Sequence, residues 1–371
     1  MMHVPFYSLT ETHEQIKENI FSEIRSVIES GRFILGDKLK TFEEEFSSYT
    51  DVRYCSGVGS GLDAITISLL ALGIKKGDEV IVSSHTFIAT IQAIINTGAD
   101  PVLIDTNPLT FNIDTKKVEA KITSRTKAIL AVHMYGNPCD MIEIVSIADK
   151  YSLSIVEDFA QAVGAVHNRK KVGSIGMINA TSFYPTKNLG AMGDAGGITT
   201  NIADLDRRVK AIRNYGSVEK YIHDSEGMNS RMDEIQSAIL SVKLKYLDEW
   251  NRERNQIASI YTSHLSEIKD IYIPVSEPDS ERVHHLYIIK TERRDQLKHF
   301  LKIHGIDTMI HYPVPVHLQK ALSSLQHQKG SFPVSEEISL TCLSLPLYNG
   351  MEKAKIDYVI QKIKDFYILP H

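Results

Sequence analysis

Between residues 79 and 158 short apolar runs alternate with amphipathic stretches: EVIVSSHTF, ATIQAIINTG, PVLIDT, KVEAKITSR, AILAVHMYG, MIEIVSIADKYS and LSIVED. Apolar runs without polar alternation are strands buried on both faces, and the stretches between them have helical spacing. Only a mostly parallel sheet covered by helices on both sides satisfies both. The fold class expected is therefore α/β. Upstream, Ile16, Ile20, Ile24 and Val27 mark one helix, and KLKTFEEEFSSYT continues as a second. From about Met232 to Leu265 the apolar spacing predicts one long helix joining two lobes. Beyond it, LYIIK and TMIHYPV read as strands, and RRDQLKHFLKIHG and EKAKIDYVIQKIKDFY as helices of a smaller α/β domain. The expected division is 1–245 for an N-terminal arm and large domain, and 246–371 for the linking helix and small domain.

A chain of 371 residues is long enough for two lobes with a substantial core. Its formal charge of -5 and the lack of a dense basic block argue against nucleic acid as a partner. The opening MMHVPFYSLTETHEQ has no basic segment followed by an apolar run, and no stretch reaches the ~18 apolar residues of a membrane span. A cytoplasmic protein without a membrane partner is expected. Cys55, Cys139 and Cys342 are odd in number and far apart, which predicts buried thiols, not disulfides or a zinc knuckle. HExxH is absent, and His284 and His285 open an apolar strand on opposite faces, so no metal site is expected.

Sheets of this kind bind ligands beyond the carboxyl ends of their strands. That rule gathers SSHTF, HMYGN, EDFAQ and the loop around Lys187. GVGSG, residues 57 to 61, lacks full GxGxxG spacing, and GxxxxGK[ST] is missing, so neither a dinucleotide nor a triphosphate cradle is supported. It is either an anion site at a helix start or a tight turn with Ser60 as N-cap. Glu157 and Asp158 point to opposite faces of their strand, so only one can enter a site. Such a carboxylate can hold a protonated heteroaromatic nitrogen, with Gln161 beside a ring oxygen; alternatively the two are a helix-start acid pair. Phe87 offers a flat stacking surface or is a core residue. Lys187 sits in TSFYPTKNLGAMGDAGGITT, where glycines at 190, 193, 196 and 197 suggest a close pocket wall. Ser182 for a phosphate, Lys187 for an imine, Asp158 for a pyridinium and backbone donors at 59 to 61 are together the needs of pyridoxal 5′-phosphate.

In the order FILGDKLKTFEEEFSSY, GVGSGLDAI, GDEVIVSSHTFIAT, VHMYGNPCDM, IVEDFAQAVGA, SFYPTKNLGAMGDAGGI, NSRMDEIQSAIL and HYPVPVHLQ, the chain resembles the DegT/DnrJ/EryC1/StrS nucleotide-sugar aminotransferases over essentially its whole length. The resemblance implies fold type I, with the cofactor in the large domain. It makes Lys187 the Schiff-base lysine, Asp158 the pyridine-nitrogen partner, Gln161 a ring-oxygen contact, Ser182 a phosphate ligand and Phe87 the stacking residue. Ser60, Gly61 and Leu62 would complete the phosphate cup, and Asn229 would reach it from the neighbouring subunit of a homodimer with shared sites. Lysine at 187, where some relatives carry histidine for dehydration, implies transamination.

The branch it looks most like transfers the amino group of L-glutamate to C3 of a dTDP-linked 3-oxo-6-deoxyhexose. The product would be a dTDP-3-amino-3,6-dideoxyhexose for lipopolysaccharide, other surface polysaccharide or glycoconjugate. The alternative is C4 amination of a dTDP- or UDP-4-keto-6-deoxy sugar. Tyr184, His311 and Tyr312, with Tyr221 across the dimer, are expected at the sugar or its diphosphate, or else in ordinary loop packing.

Overall fold

The structure, a computed structural model, describes residues 2–368. The apolar runs become four strands of one seven-stranded sheet. After helices α1 (Thr10–Ser30) and α2 (Asp37–Thr50), the chain forms β1 (Tyr54–Val58), α3 (Gly61–Ala71), β2 (Glu79–Ser83), α4 (Ile88–Asn96) and β3 (Asp100–Ile104). There follow β4 (Thr126–Val132), α5 (Met141–Tyr151), β5 (Ser154–Asp158), a ribbon of β6 (Val166–His167) and β7 (Lys170–Lys171), then β8 (Ile178–Ser182) and β9 (Gly196–Thr200). The sheet order is β1-β9-β8-β5-β4-β2-β3. Strands β3, β2, β4, β5 and β8 run parallel, whereas β9 is antiparallel to both β8 and β1. All carboxyl ends of the parallel set therefore open on one edge.

Helix starts follow local chemistry. Ser60 Oγ accepts the Asp63 N–H (3.1 Å) at the start of α3, and the Asp140 side chain does the same for Glu143 at α5. Helix α2 has no side-chain cap of its own. The Glu234 carboxylate instead accepts the N–H groups of Gly36 (2.8 Å), Lys38 (2.9 Å) and Leu39 (3.0 Å).

Three expected elements differ. KVEAKITSR is not a helix but two single turns, Thr115–Lys117 and Glu119–Lys121. Val118 is the one fully buried side chain there, too little apolar surface to hold a helix against its entropy. The helix expected from Met232 to Leu265 is two, α6 (Ala203–Ile212) being followed by α7 (Glu234–Leu244) and α8 (Leu247–Leu265). Helix α7 packs on α1 and α2, whereas α8 packs on the C-terminal helix Lys353–Ile368, so the chain turns at Lys245 and Tyr246 to serve both. TMIHYPV does not form a strand; only Met309 bridges Ser344, and Pro313, lacking an N–H, cannot extend the ladder. The pairing partner of Tyr287–Lys290 is instead Cys342–Leu345.

The three cysteines are buried and free. No helix among the described residues is long and apolar enough to cross a membrane.

Candidate active site

A cleft of ≈ 610 Å³ lies at the carboxyl edge of the sheet, where β2, β4, β5 and β8 end and α3 and α4 begin. Gly61, Leu62, Phe87, Asp158, Gln161, Ser182, Tyr184, Lys187, His311 and Tyr312 all line it. The parallel topology accounts for this, since every loop that leaves a strand end arrives at the same place.

Alternation along β5 sorts the two acids. Glu157 is fully buried, 3.0 Å from His133 Nε2, and accepts the N–H groups of Gly173 (2.9 Å), Ile175 (2.7 Å) and Gly176 (2.7 Å). It organises the loop before β8. Asp158 faces the cleft, its Oδ2 accepting from Thr90 Oγ1 (3.1 Å) and its Oδ1 from the Ala160 N–H (3.2 Å). Burial raises the Asp158 pKa, while the Ala160 N–H, the Lys187 charge and Thr90 oppose the rise. A cation against this carboxylate would restore its ionised form.

Lys187 is partly exposed at the cleft floor on the loop between β8 and β9. That loop folds back tightly. Phe183 N–H donates to Ala195 O (2.8 Å), Ala191 N–H to Phe183 O (2.7 Å) and Lys187 N–H to Tyr184 O (2.8 Å). A Cβ at Gly190 would fall 2.3 Å from Pro185 O, so glycine is required. Burial brings the Lys187 pKa down to about 8, opposed by the Asp158 charge. Burial and the nearby Lys187 charge also bring His311 down to about 4 and His285 well below its ordinary value. Both imidazoles are neutral near pH 7, and the acids and lysine of the lining are Asp158, Asp194 and Lys187.

At one end of the cleft the start of α3 forms a cradle. Ser60 caps the helix, and a Cβ on Gly61 would lie 2.5 Å from Ser182 Cβ. Free N–H groups at a helix start beside a serine hydroxyl suit a phosphate. Phe87 is 51% exposed and presents its ring to the cleft, 5.4 Å from that of Tyr312. The Gln161 amide is oriented, with Oε1 accepting the Tyr135 N–H (2.7 Å) and Nε2 lying 3.4 Å from the Tyr312 hydroxyl. A phosphate cradle, an exposed ring face, a buried acid and an amine of lowered pKa are the donor set that pyridoxal phosphate needs. We expect Gly61→Ala to weaken cofactor retention at least about tenfold, because the added methyl must displace Ser182 or the helix start; titration of the cofactor-free protein measures it.

Three expected residues do not line this cleft: Ser60 borders it, its hydroxyl taken by the Asp63 N–H at the start of α3, Tyr221 is 84% exposed, and Asn229 is exposed and pairs through its backbone with Asn214. Several residues that do contribute were not foreseen. Thr90 lies three residues after Phe87 on α4, a spacing that could have flagged it. His285 precedes its strand instead of opening it, and turns into the cleft. Tyr135 holds Gln161 and donates its hydroxyl hydrogen to His311 O (2.5 Å), a long-range contact with no local signal.

Residues 14–364 match the DegT/DnrJ/EryC1/StrS aminotransferase family. The chain is 46% identical to a dTDP-3-amino-3,6-dideoxy-alpha-D-galactopyranose transaminase of Aneurinibacillus thermoaerophilus, covering 98% of this chain and 99% of that one. It is 45% identical to a pleiotropic regulatory protein of Geobacillus stearothermophilus, covering 99% of each. The crystal structure of S. venezuelae DesV in complex with a ketimine intermediate superposes with a TM-score of 0.98 at 42% identity, covering 100% of both chains. The chain is a pyridoxal-phosphate-dependent enzyme and belongs to the DegT/DnrJ/EryC1/StrS aminotransferase family.

Proposed function

We propose that this aminotransferase moves the amino group of L-glutamate to C3 of a dTDP-linked 3-oxo-6-deoxyhexose, in the cytoplasm, as a homodimer with shared sites. The dTDP-3-amino-3,6-dideoxyhexose formed would supply lipopolysaccharide or another surface glycoconjugate. The observation that carries the chemistry is Lys187 and Asp158 in one cleft, each partly compensating the other's burial. The choice of C3 draws support from near-complete coverage of a relative named for a dTDP-3-amino sugar. A relative with a regulatory name shares comparable identity. Yet this chain keeps both the amine and the acid that turnover needs.

Bound pyridoxal phosphate supplies an aldehyde that exchanges an amino group and a ring that accepts the electron pair left when the donor loses its α-proton. The protein's residues do the rest. Lys187 would anchor the aldehyde and then, as a free amine, take the donor's α-proton and return it at the aldehyde carbon, on the other side of the shared nitrogen. Asp158 would hold the ring nitrogen protonated, Phe87 would cover one ring face, and the Gln161 amide would serve the ring oxygen. Ser182, Ser60, Gly61 and Leu62 would hold the phosphate. Tyr184, His311 and Tyr312 line the cleft and would meet the sugar, and the exposed Tyr221 and Asn229 would serve a partner's cleft.

Incubation with glutamate and a panel of dTDP-3-keto and dTDP-4-keto 6-deoxyhexoses, with the new nitrogen located by NMR, tests the reading. Nitrogen at C4 would replace it with the C4 assignment, and failure to exchange glutamate with 2-oxoglutarate would remove amino transfer from glutamate altogether. Asn229→Ala is expected to lower cofactor retention several-fold, the loss of one hydrogen bond to a charged group. Unchanged retention in the dimer would take it out of the phosphate site.

A further inference from the structure

The cleft offers little fixed positive charge to an anionic co-substrate. Among the described residues Lys187 is the only lysine or arginine lining it, and His285 and His311 are neutral. An amino-acid donor carries at least one carboxylate, and a carboxylate leaving water needs a cation or several donors.

A second, more enclosed cavity of ≈ 40 Å³ adjoins the first, with Thr186 and Lys187 lining both. This volume holds about three waters or one carboxylate head. Its other walls include His13 on α1, Lys243 on α7, Arg254 on α8, and Tyr348. No carboxylate among the described residues lines it.

Lys243 is 3% exposed. Its Nζ donates to Gly190 O (2.7 Å) and lies 3.1 Å from His13 Nε2, which leaves one of its three N–H groups uncommitted. Burial alone brings its pKa down to about 8, so no acid compensates its charge. Arg254 donates to the carbonyls of His284, His285 and Leu347, and Glu253 is the acid near it. The Tyr348 hydroxyl is buried without a partner. A sequestered ammonium and a spare O–H donor thus share a cavity that touches the reactive lysine.

We propose that this cavity is a subsite for a carboxylate-sized anion held by Lys243 and Tyr348, and that during turnover it takes a carboxylate of the amino-acid donor. The donor assignment rests on the amino-transfer reading; the anion site rests on the geometry alone. A free inorganic anion such as chloride has the same chemistry and is the other source.

The test uses holoenzyme and the Lys243→Met and Tyr348→Phe variants. Mixing with L-glutamate and following cofactor absorbance gives the half-saturating donor concentration. It should rise roughly ten- to hundredfold in Lys243→Met and less in Tyr348→Phe, the loss of a charged and a neutral hydrogen bond respectively. The keto-sugar KM and melting temperature should hold, and Lys243→Arg should recover part of the donor affinity. Wild-type crystals soaked in bromide should show an anomalous peak within hydrogen-bond reach of Lys243 Nζ, absent in Lys243→Met. A bromide peak with an unchanged glutamate response would assign the cavity to inorganic anions and overturn the donor role. Absence of both the bromide peak and the change in glutamate response would overturn the whole proposal. Should wild-type enzyme not react with glutamate, the amino-transfer reading fails, whereas the bromide result still decides the cavity.

Discussion

Lys187→Ala should lose amino transfer by on the order of a millionfold, the scale of removing a covalent nucleophile that also moves the proton. The fold should survive, because Lys187 contributes its backbone N–H, not its side chain, to the turn that closes on Tyr184 O. The absorbance of covalently attached cofactor should vanish, while the phosphate cradle still retains the cofactor. An amino-transfer assay with an absorption spectrum checks both, and substantial turnover in the variant would end the assignment. With its pKa near 8, Lys187 is about one-quarter neutral amine at pH 7.5, against about one-thousandth at its ordinary value of 10.5. Since only the neutral amine accepts a proton, the glutamate half-reaction should fall as pH drops below about 8, up to tenfold per unit. Stopped-flow rates across pH 6 to 9 measure this slope.

Asp158→Asn should cost roughly a hundred- to thousandfold in turnover with cofactor still bound, since it removes the negative charge that holds the ring nitrogen protonated. The substitution keeps the size and one acceptor oxygen for the Ala160 N–H, while the new amide N–H can donate to Thr90 Oγ1, so melting temperature should change little. Near-normal kinetics would show that the acid has a structural role only. Glu157, one residue away, makes the contrast. Glu157→Gln should lower stability, because a buried carboxylate accepting three backbone N–H groups beside His133 is lost, without reaching into the cleft.

Much of the scaffold is legible in the chain because β2 to β5 are continuous apolar runs whose burial on both faces admits few arrangements. Strands β8 and β9, INATS and GGITT, carry no such run. They are strands because Asn179, Thr181 and Thr199 are buried between neighbours that sheet pairing supplies. For the same reason TMIHYPV, a plausible strand by composition, stays unpaired while CLSL takes its place. The site divides likewise. Lys187, Asp158, Gln161, Ser182 and the glycine loop stand in segments whose composition is odd for their surroundings, so they can be picked out one by one. Thr90 and Tyr135 act through partners 68 and 26 residues away, and His285 joins the cleft from the far end of the chain; no local pattern encodes those distances.

Taken alone, the sequence determined the sheet class, the edge where chemistry gathers and the residue types assembled there, because side-chain periodicity and backbone geometry are local properties. Tertiary structure decided which of two adjacent acids enters the cleft with which partners, how far burial lowers the lysine's pKa, and that Lys243 stands behind it without a counter-charge. Desolvation and long-range pairing depend on what surrounds a group in space, and only the folded chain supplies those surroundings.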